Sequence, residues 1–225
     1  MQLLSGNALK LIAAATMFLD HMAVMLFPGN ELLRALGRLA MPIYAFMISE
    51  GCKYTRNKAN YFCMVLSLAL VCQTVYFLFS GDTYFSILFT FSLAIVTVYA
   101  LQRYQNHPCA ENGILFSLVV AGIYQLNRFV TIDYGFWGCM LPAFPAMLHG
   151  TAYDRQEYKT AMLALGLVLL ASSMGENQIY SLGALPLLLL YSGKRGKWKM
   201  KYFFYIFYPA HMALLEGIVM LRRYL

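Results

Sequence analysis

Charge is what this sequence holds least of. Of its 225 residues, 12% are Asp, Glu, Lys or Arg and 60% are apolar. A soluble domain carries about 25% charged residues. Too much of a chain this size faces water for that apolar surface to be hidden. The scarcity therefore excludes an ordinary soluble domain and predicts a protein dissolved in a bilayer. Cysteine is scarce as well: Cys52, Cys63, Cys72, Cys109 and Cys139 form an odd set with no Cys-x-x-Cys pair. Most sit in or beside apolar runs and read as small buried hydrophobes, so neither a disulfide framework nor a metal site is expected. No small-residue cleavage pattern follows the first apolar run, which reads as a retained helix. No repeat or linker interrupts the chain, and residues 1–225 read as a single all-α membrane domain.

What is present is a series of apolar runs. A spanning helix needs about 20 mostly apolar residues. Nine candidates emerge, at 9–27, 32–52, 60–79, 84–102, 113–132, 135–148, 160–174, 179–191 and 202–221. The short sixth and eighth could be re-entrant or steeply packed. Basic residues set the orientation. Loops after the even-numbered segments hold Lys53, Arg56 and Lys58, then Arg103, then Arg155 and Lys159, then Lys194, Arg195, Lys197, Lys199 and Lys201. The opposite loops hold Glu31, Asp82, Asp133 and Glu176 and no Lys or Arg. The expectation is a multi-pass protein of the cytoplasmic membrane with its N-terminus and basic loops in the cytoplasm. Arg222 and Arg223 fall on the outer side against this rule. The net charge of +7 thus reflects membrane orientation, and no nucleic-acid partner is expected.

A charge in hydrocarbon costs about 2.5 to 3.5 kcal/mol on insertion scales. Ionisable groups at depth therefore pair, face the bundle interior or do chemistry. Here they are Asp20, His21, Arg34, Arg38, Glu50, Arg128, His211 and Glu216. Asp20 and His21 are adjacent, about 100° apart around a helix, so Asp20 can pair with Arg38 while His21 faces a cavity. A histidine near a carboxylate suits general-base chemistry near neutral pH. The bland alternative is a structural ion pair that fixes helix packing. Arg34 and Arg38 share one helix face, with Gly37 between them allowing close backbone approach. Arg34 reads as a residue snorkelling to the outer headgroups, and Arg38 as the deeper, functional one.

Pro42 cannot donate to the Arg38 carbonyl, which predicts a kink there, and Pro209 does the same just before His211. The two histidines could hold a metal, but no third ligand stands out. The loop Gly193-Lys194-Arg195-Gly196-Lys197 concentrates positive charge, and its glycines would let backbone amides approach an anion. It lacks the Gly-x4-Gly-Lys-Ser/Thr phosphate motif, and membrane orientation alone would explain it.

Ordered motifs carry a further signal over nearly the whole length. They are Leu9-Lys10-Leu11-Ile12-Ala13 with Met17 and Asp20-His21, then Leu33-Arg34-Ala35-Leu36-Gly37-Arg38-Leu39-Ala40-Met41-Pro42-Ile43 and Ser49-Glu50-Gly51. Thr55-Arg56-Asn57 and Asp133-Tyr134-Gly135 follow. The last are Tyr191-Ser192-Gly193-Lys194-Arg195-Gly196 and Lys201-Tyr202-Phe203-Phe204-Tyr205-Ile206-Phe207-Tyr208-Pro209-Ala210-His211. In these the chain resembles the TraX family, whose name-giver is the F-pilin acetylation protein.

The resemblance implies a membrane-embedded acetyltransferase that takes an acetyl group from cytoplasmic acetyl-CoA. The acceptor would be an amine or hydroxyl, such as a pilin N-terminus or another envelope molecule. His21, Asp20, His211 and Arg38 are then the expected catalytic residues. His21 would be the base, and Arg38 or His211 would stabilise the oxyanion. Direct transfer and an acetyl-histidine intermediate both remain open. Arg56, Lys58, Lys194 and Arg195 would hold the CoA phosphates. Asp133, Tyr134 and Glu50 would bind the acceptor. No metal is expected, and membrane lipid is the surrounding partner. Buried Asp, His and Arg on kinked helices would equally suit a proton-coupled transporter or channel. A scaffold for secretion machinery would leave the cost of burying the charges unexplained.

Overall fold

The structure, a computed structural model, describes residues 3–80, 84–197 and 200–224, with the side chains at 79, 80, 176, 201, 202, 223 and 224 left aside. Asp82 and Lys199, counted above for orientation, lie outside the described residues. Among the described residues the fold is all-helical, with isolated bridges but no strand. Among the described residues, five segments are long and apolar enough to cross a membrane: Gly6–Met25, Glu31–Tyr54, Lys58–Leu78, Ile87–Asn106 and Phe203–Arg222.

Local chemistry sets the helix ends. α1 (Gly6–Met25) starts at Ser5, whose hydroxyl accepts from the Ala8 amide. α2 (Glu31–Gly37) starts at Asn30, whose Oδ1 accepts from the Leu33 amide, with Glu31 favourably placed in its first turn. α3 (Ala40–Tyr54) follows after a break at Arg38–Leu39, where Pro42 offers no N–H to the Arg38 carbonyl. α4 (Lys58–Ser80), α5 (Ile87–Asn106) and α6 (Ala110–Phe129) are continuous. The expected sixth span instead forms two short helices, α7 (Gly135–Met140) and α8 (Ala143–Ala146). Pro142 and Pro145 remove the amides that a continuous ladder would need. α9 (Thr151–Asp154) and α10 (Gln156–Met174) come next. The expected eighth span is a 3-10 helix, Glu176–Ala184, running into α11 (Leu185–Leu189). Neither the sixth nor the eighth is a single spanning helix. α12 (Lys201–Tyr224) carries Pro209 inside it.

The chain divides into two compact units, Met1–Tyr44 with Gly175–Leu225, and Ala45–Met174, the boundary falling within α3. In the first unit, α1 packs closely on α2. A Cβ at Gly37 would overlap the side chain and Cα of Asp20, so only glycine permits this approach. The segment before α1 docks on the loop after α11. The Leu3 and Leu4 amides donate to Leu190 O, Gly6 N to Lys194 O and Asn7 N to Arg195 O, each at 2.8 to 2.9 Å. The otherwise unpaired first-turn amides of α1 are thereby satisfied. Gly196, at φ 101, lies so close that a Cβ would sit 2.9 Å from Ser5 Oγ.

The second unit has its own apolar cluster of Ile123, Ile132, Cys139, Met140 and Phe144. α10 approaches it at Gly166, where a Cβ would meet Leu141 and Phe144 at 2.7 Å. Large apolar side chains of α4 and α6 point outward, among them Leu78, Ile114, Leu118 and Phe129. Such faces suit lipid, because a helix satisfies its own backbone polar groups.

Candidate functional site

The site is built in the first unit from α1, α2 and α12. His21 Nδ1 lies 2.8 Å from Nε2 of His211, and His211 Nδ1 lies 2.8 Å from the Phe207 carbonyl. A carbonyl only accepts, so Nδ1 of His211 carries a proton. With both rings neutral, His211 Nε2 is then the acceptor and His21 Nδ1 the donor. The lone pair of the pair falls on Nε2 of His21. Phe207 stacks on the His211 ring at 4.8 Å between centroids, while Phe18 and Tyr208 meet it edge-on. These rings hold His211 in one orientation; it is 4% exposed.

Beside His21, Asp20 accepts from Arg34 Nη1 at 2.9 Å and lies 3.6 Å from Arg38 Nη2. Arg34, expected to snorkel outward, makes the closer pair, and the missing side chain at Gly37 is what lets Asp20 reach it. Arg38 also donates to Gln178 Oε1 at 3.3 Å. Asp20, His21, Arg38 and His211 are thus gathered in one unit, with Asp20 paired to the arginines rather than to His21.

The other expected residues are held by other contacts. Lys194 and Arg195 are exposed, and their carbonyls hold α1. In the second unit, Arg56 is exposed, and Lys58 donates to Gln102 Oε1 and lies over the Tyr99 ring. Asp133 accepts from the Tyr84 hydroxyl at 2.7 Å. Tyr134 is buried in a left-handed turn at φ 60. Arg128 is exposed in the last turn of α6.

Glu50 is held in its own buried network. Lys159 Nζ donates to its Oε1 at 2.9 Å and Tyr153 Oη at 3.0 Å. Both charged side chains are 6% exposed. Burial, and then the adjacent Glu50 charge, push the Tyr153 hydroxyl well above its ordinary pKa, so it stays a donor.

Three features escaped sequence reasoning. Lys159 had counted only as a loop charge. Gln178, bonded to Arg38, and Ser181 on the same 3-10 helix carry no charge to draw attention, although polar residues three apart near an apolar run were a visible signal. Among the described residues, no group of three His, Cys, Asp or Glu could hold a metal ion.

Paired charges and joined histidines on apolar helices define a polytopic membrane protein with an ionisable interior. The chain belongs to the TraX protein family, which it matches over residues 5–219. It is also similar to the probable fimbrial assembly protein FimC, serogroup H1, of Dichelobacter nodosus. The two are 29% identical over 246 aligned positions, covering 94% of each chain. No solved structure matches it.

Proposed function

We propose that the chain is a membrane acetyltransferase using acetyl-CoA as donor substrate, with His21 as general base. The observation that carries this reading is the one-way hydrogen-bond chain from His21 through His211 to the Phe207 carbonyl. It fixes the tautomer and leaves Nε2 of His21 as the unprotonated ring nitrogen, the atom a general base uses. Nε2 removes a proton from an acceptor amine or hydroxyl. The acceptor nitrogen or oxygen bonds to the acetyl carbonyl carbon, the C–S bond breaks, and the departing CoA sulfur takes up a proton. Both ring nitrogens of His211 are engaged, so it acts as a positioning residue. The guanidinium of Arg38 is the group suited to the developing oxyanion.

The TraX name and the relative's name favour a pilin or fimbrial subunit as acceptor. Under the proposed orientation the N-terminus and basic loops are cytoplasmic, where Lys194 and Arg195, and separately Arg56 and Lys58, offer charge to CoA phosphates. His21 lies about 22 Å along α1 from Gly6, so the donor's thin arm must travel that depth. The nine-pass count survives only if the two broken segments cross the bilayer together with their neighbours.

Transfer of label from acetyl-CoA in proteoliposomes tests the proposal. Near-normal rates in both His21→Ala and His211→Ala would sink it. Solute or proton flux without acetyl-CoA binding would instead favour the transporter reading, which the same buried charges suit.

A further inference from the structure

Two polar groups on the 3-10 helix whose Gln178 meets Arg38 are sealed from solvent without a hydrogen-bond partner: Nε2 of Gln178 and the hydroxyl of Ser181. Gln178 is 3% exposed and Ser181 0%. An orphaned buried donor costs about 1 to 3 kcal/mol, and most native structures keep very few of them.

The geometry fixes what these groups offer. Arginine can only donate, so Oε1 of Gln178 is the atom bonded to Arg38, and Nε2 is the donor left without a partner. Gln178 and Ser181 are three residues apart in the 3-10 helix Glu176–Ala184. Side chains at that spacing eclipse one another, so Ser181 stands on the same face about 6 Å along the axis. That helix runs against the break between α2 and α3, where a Cβ at Gly183 would lie 3.0 Å from Leu39 Cδ2.

We propose that Arg38, Gln178 and Ser181 form a recess of hydrogen-bond donors that binds an oxygen able only to accept, the acyl carbonyl or carboxylate oxygen of a ligand. The guanidinium supplies charge, the amide and hydroxyl supply direction, and the ligand oxygen relieves both orphans at once. The recess is independent of the acetyl-transfer reading; only the identification of its ligand as an acetyl carbonyl rests on that reading.

Two substitutions isolate the donors. Gln178→Glu keeps the acceptor facing Arg38 and replaces the donor with an acceptor. Ser181→Ala removes one oxygen. Thermal shifts of the purified full chain are recorded while titrating sodium acetate, a carboxylate, and acetamide, a neutral acyl carbonyl. Wild-type protein should show saturable shifts. Each variant should bind at least about tenfold more weakly, while the ligand-free Tm of Ser181→Ala equals or exceeds wild type, since an orphan has been removed.

A shift with acetate alone identifies a carboxylate ligand; shifts with both identify an acyl carbonyl. Unchanged binding in both variants, no saturable shift in wild type, or a lowered ligand-free Tm in Ser181→Ala would overturn the proposal. If wild-type protein binds acetate through Gln178 and Ser181 but transfers no acetyl group, the enzyme reading fails and the recess stands. If it transfers acetyl and both variants bind and react normally, the recess alone fails.

Discussion

The imidazoles of His21 and His211 share one hydrogen bond, 2.8 Å long, between residues 190 positions apart in the chain. Their roles are unequal, because the Phe207 carbonyl accepts a hydrogen bond from Nδ1 on the far side of His211. His21→Ala should lower acetyl transfer by about 100- to 10,000-fold, the range for loss of a general base. His211→Gln, whose amide oxygen can still accept from Nδ1 of His21, should retain more activity than His211→Ala. Initial rates with labelled donor decide the order; equal loss in both His211 variants would deny it a positioning role.

Asp20 depends on the empty space at Gly37. Gly37→Ala should drive α1 and α2 apart, at a cost of about 1 to 3 kcal/mol for overpacking. The melting temperature of detergent-purified protein should fall, and the Asp20 to Arg34 pair should open. Gly37→Ala protein melting like wild type would show that the two helices are not held there.

Glu50 and Lys159 stabilise little as a pair but much against the loss of one partner. Lys159→Met should destabilise by about 3 to 5 kcal/mol, because Glu50 is left buried and uncompensated. Adding Glu50→Gln should restore most of the loss. A double-mutant cycle on Tm reads the coupling directly, and additive losses would count against it.

Gly196 is held at φ 101 against Ser5 and Asn7. Gly196→Ala should strain the loop by about 1 to 3 kcal/mol and release the segment before α1. Hydrogen exchange should quicken at the Gly6 and Asn7 amides and stay unchanged in α5. Slow exchange at Gly6 in the variant would argue that the loop carbonyls are not what protects it.

The long helices were legible because length and apolarity suffice for them: α4, for example, begins within two residues of expectation and α12 within one. The break after Gly37 was legible too, since Pro42 leaves one carbonyl without a donor. The segment at 179–191 misled because composition does not distinguish a spanning α-helix from a 3-10 turn leading into a five-residue helix.

At the site, the charged and imidazole groups announced themselves, since each is costly in lipid. Their partners did not. Arg34 looked like a headgroup anchor because nothing in the string shows how near Gly37 brings Asp20. Lys159 looked like a topology signal because its burial depends on Glu50, 109 positions away. Gln178 and Ser181 drew no notice, despite their spacing, because uncharged polar side chains are ordinary in membrane helices.

The first unit takes its strands of sequence from both ends of the chain. During synthesis, α1 and α2 enter the bilayer long before residue 211 leaves the ribosome. Asp20 can meet Arg34 at once, but His21 must wait until α12 is made. Nascent chains truncated before α12 should therefore insert with their ion pair made and their imidazole solitary, and α12 then closes the histidine pair.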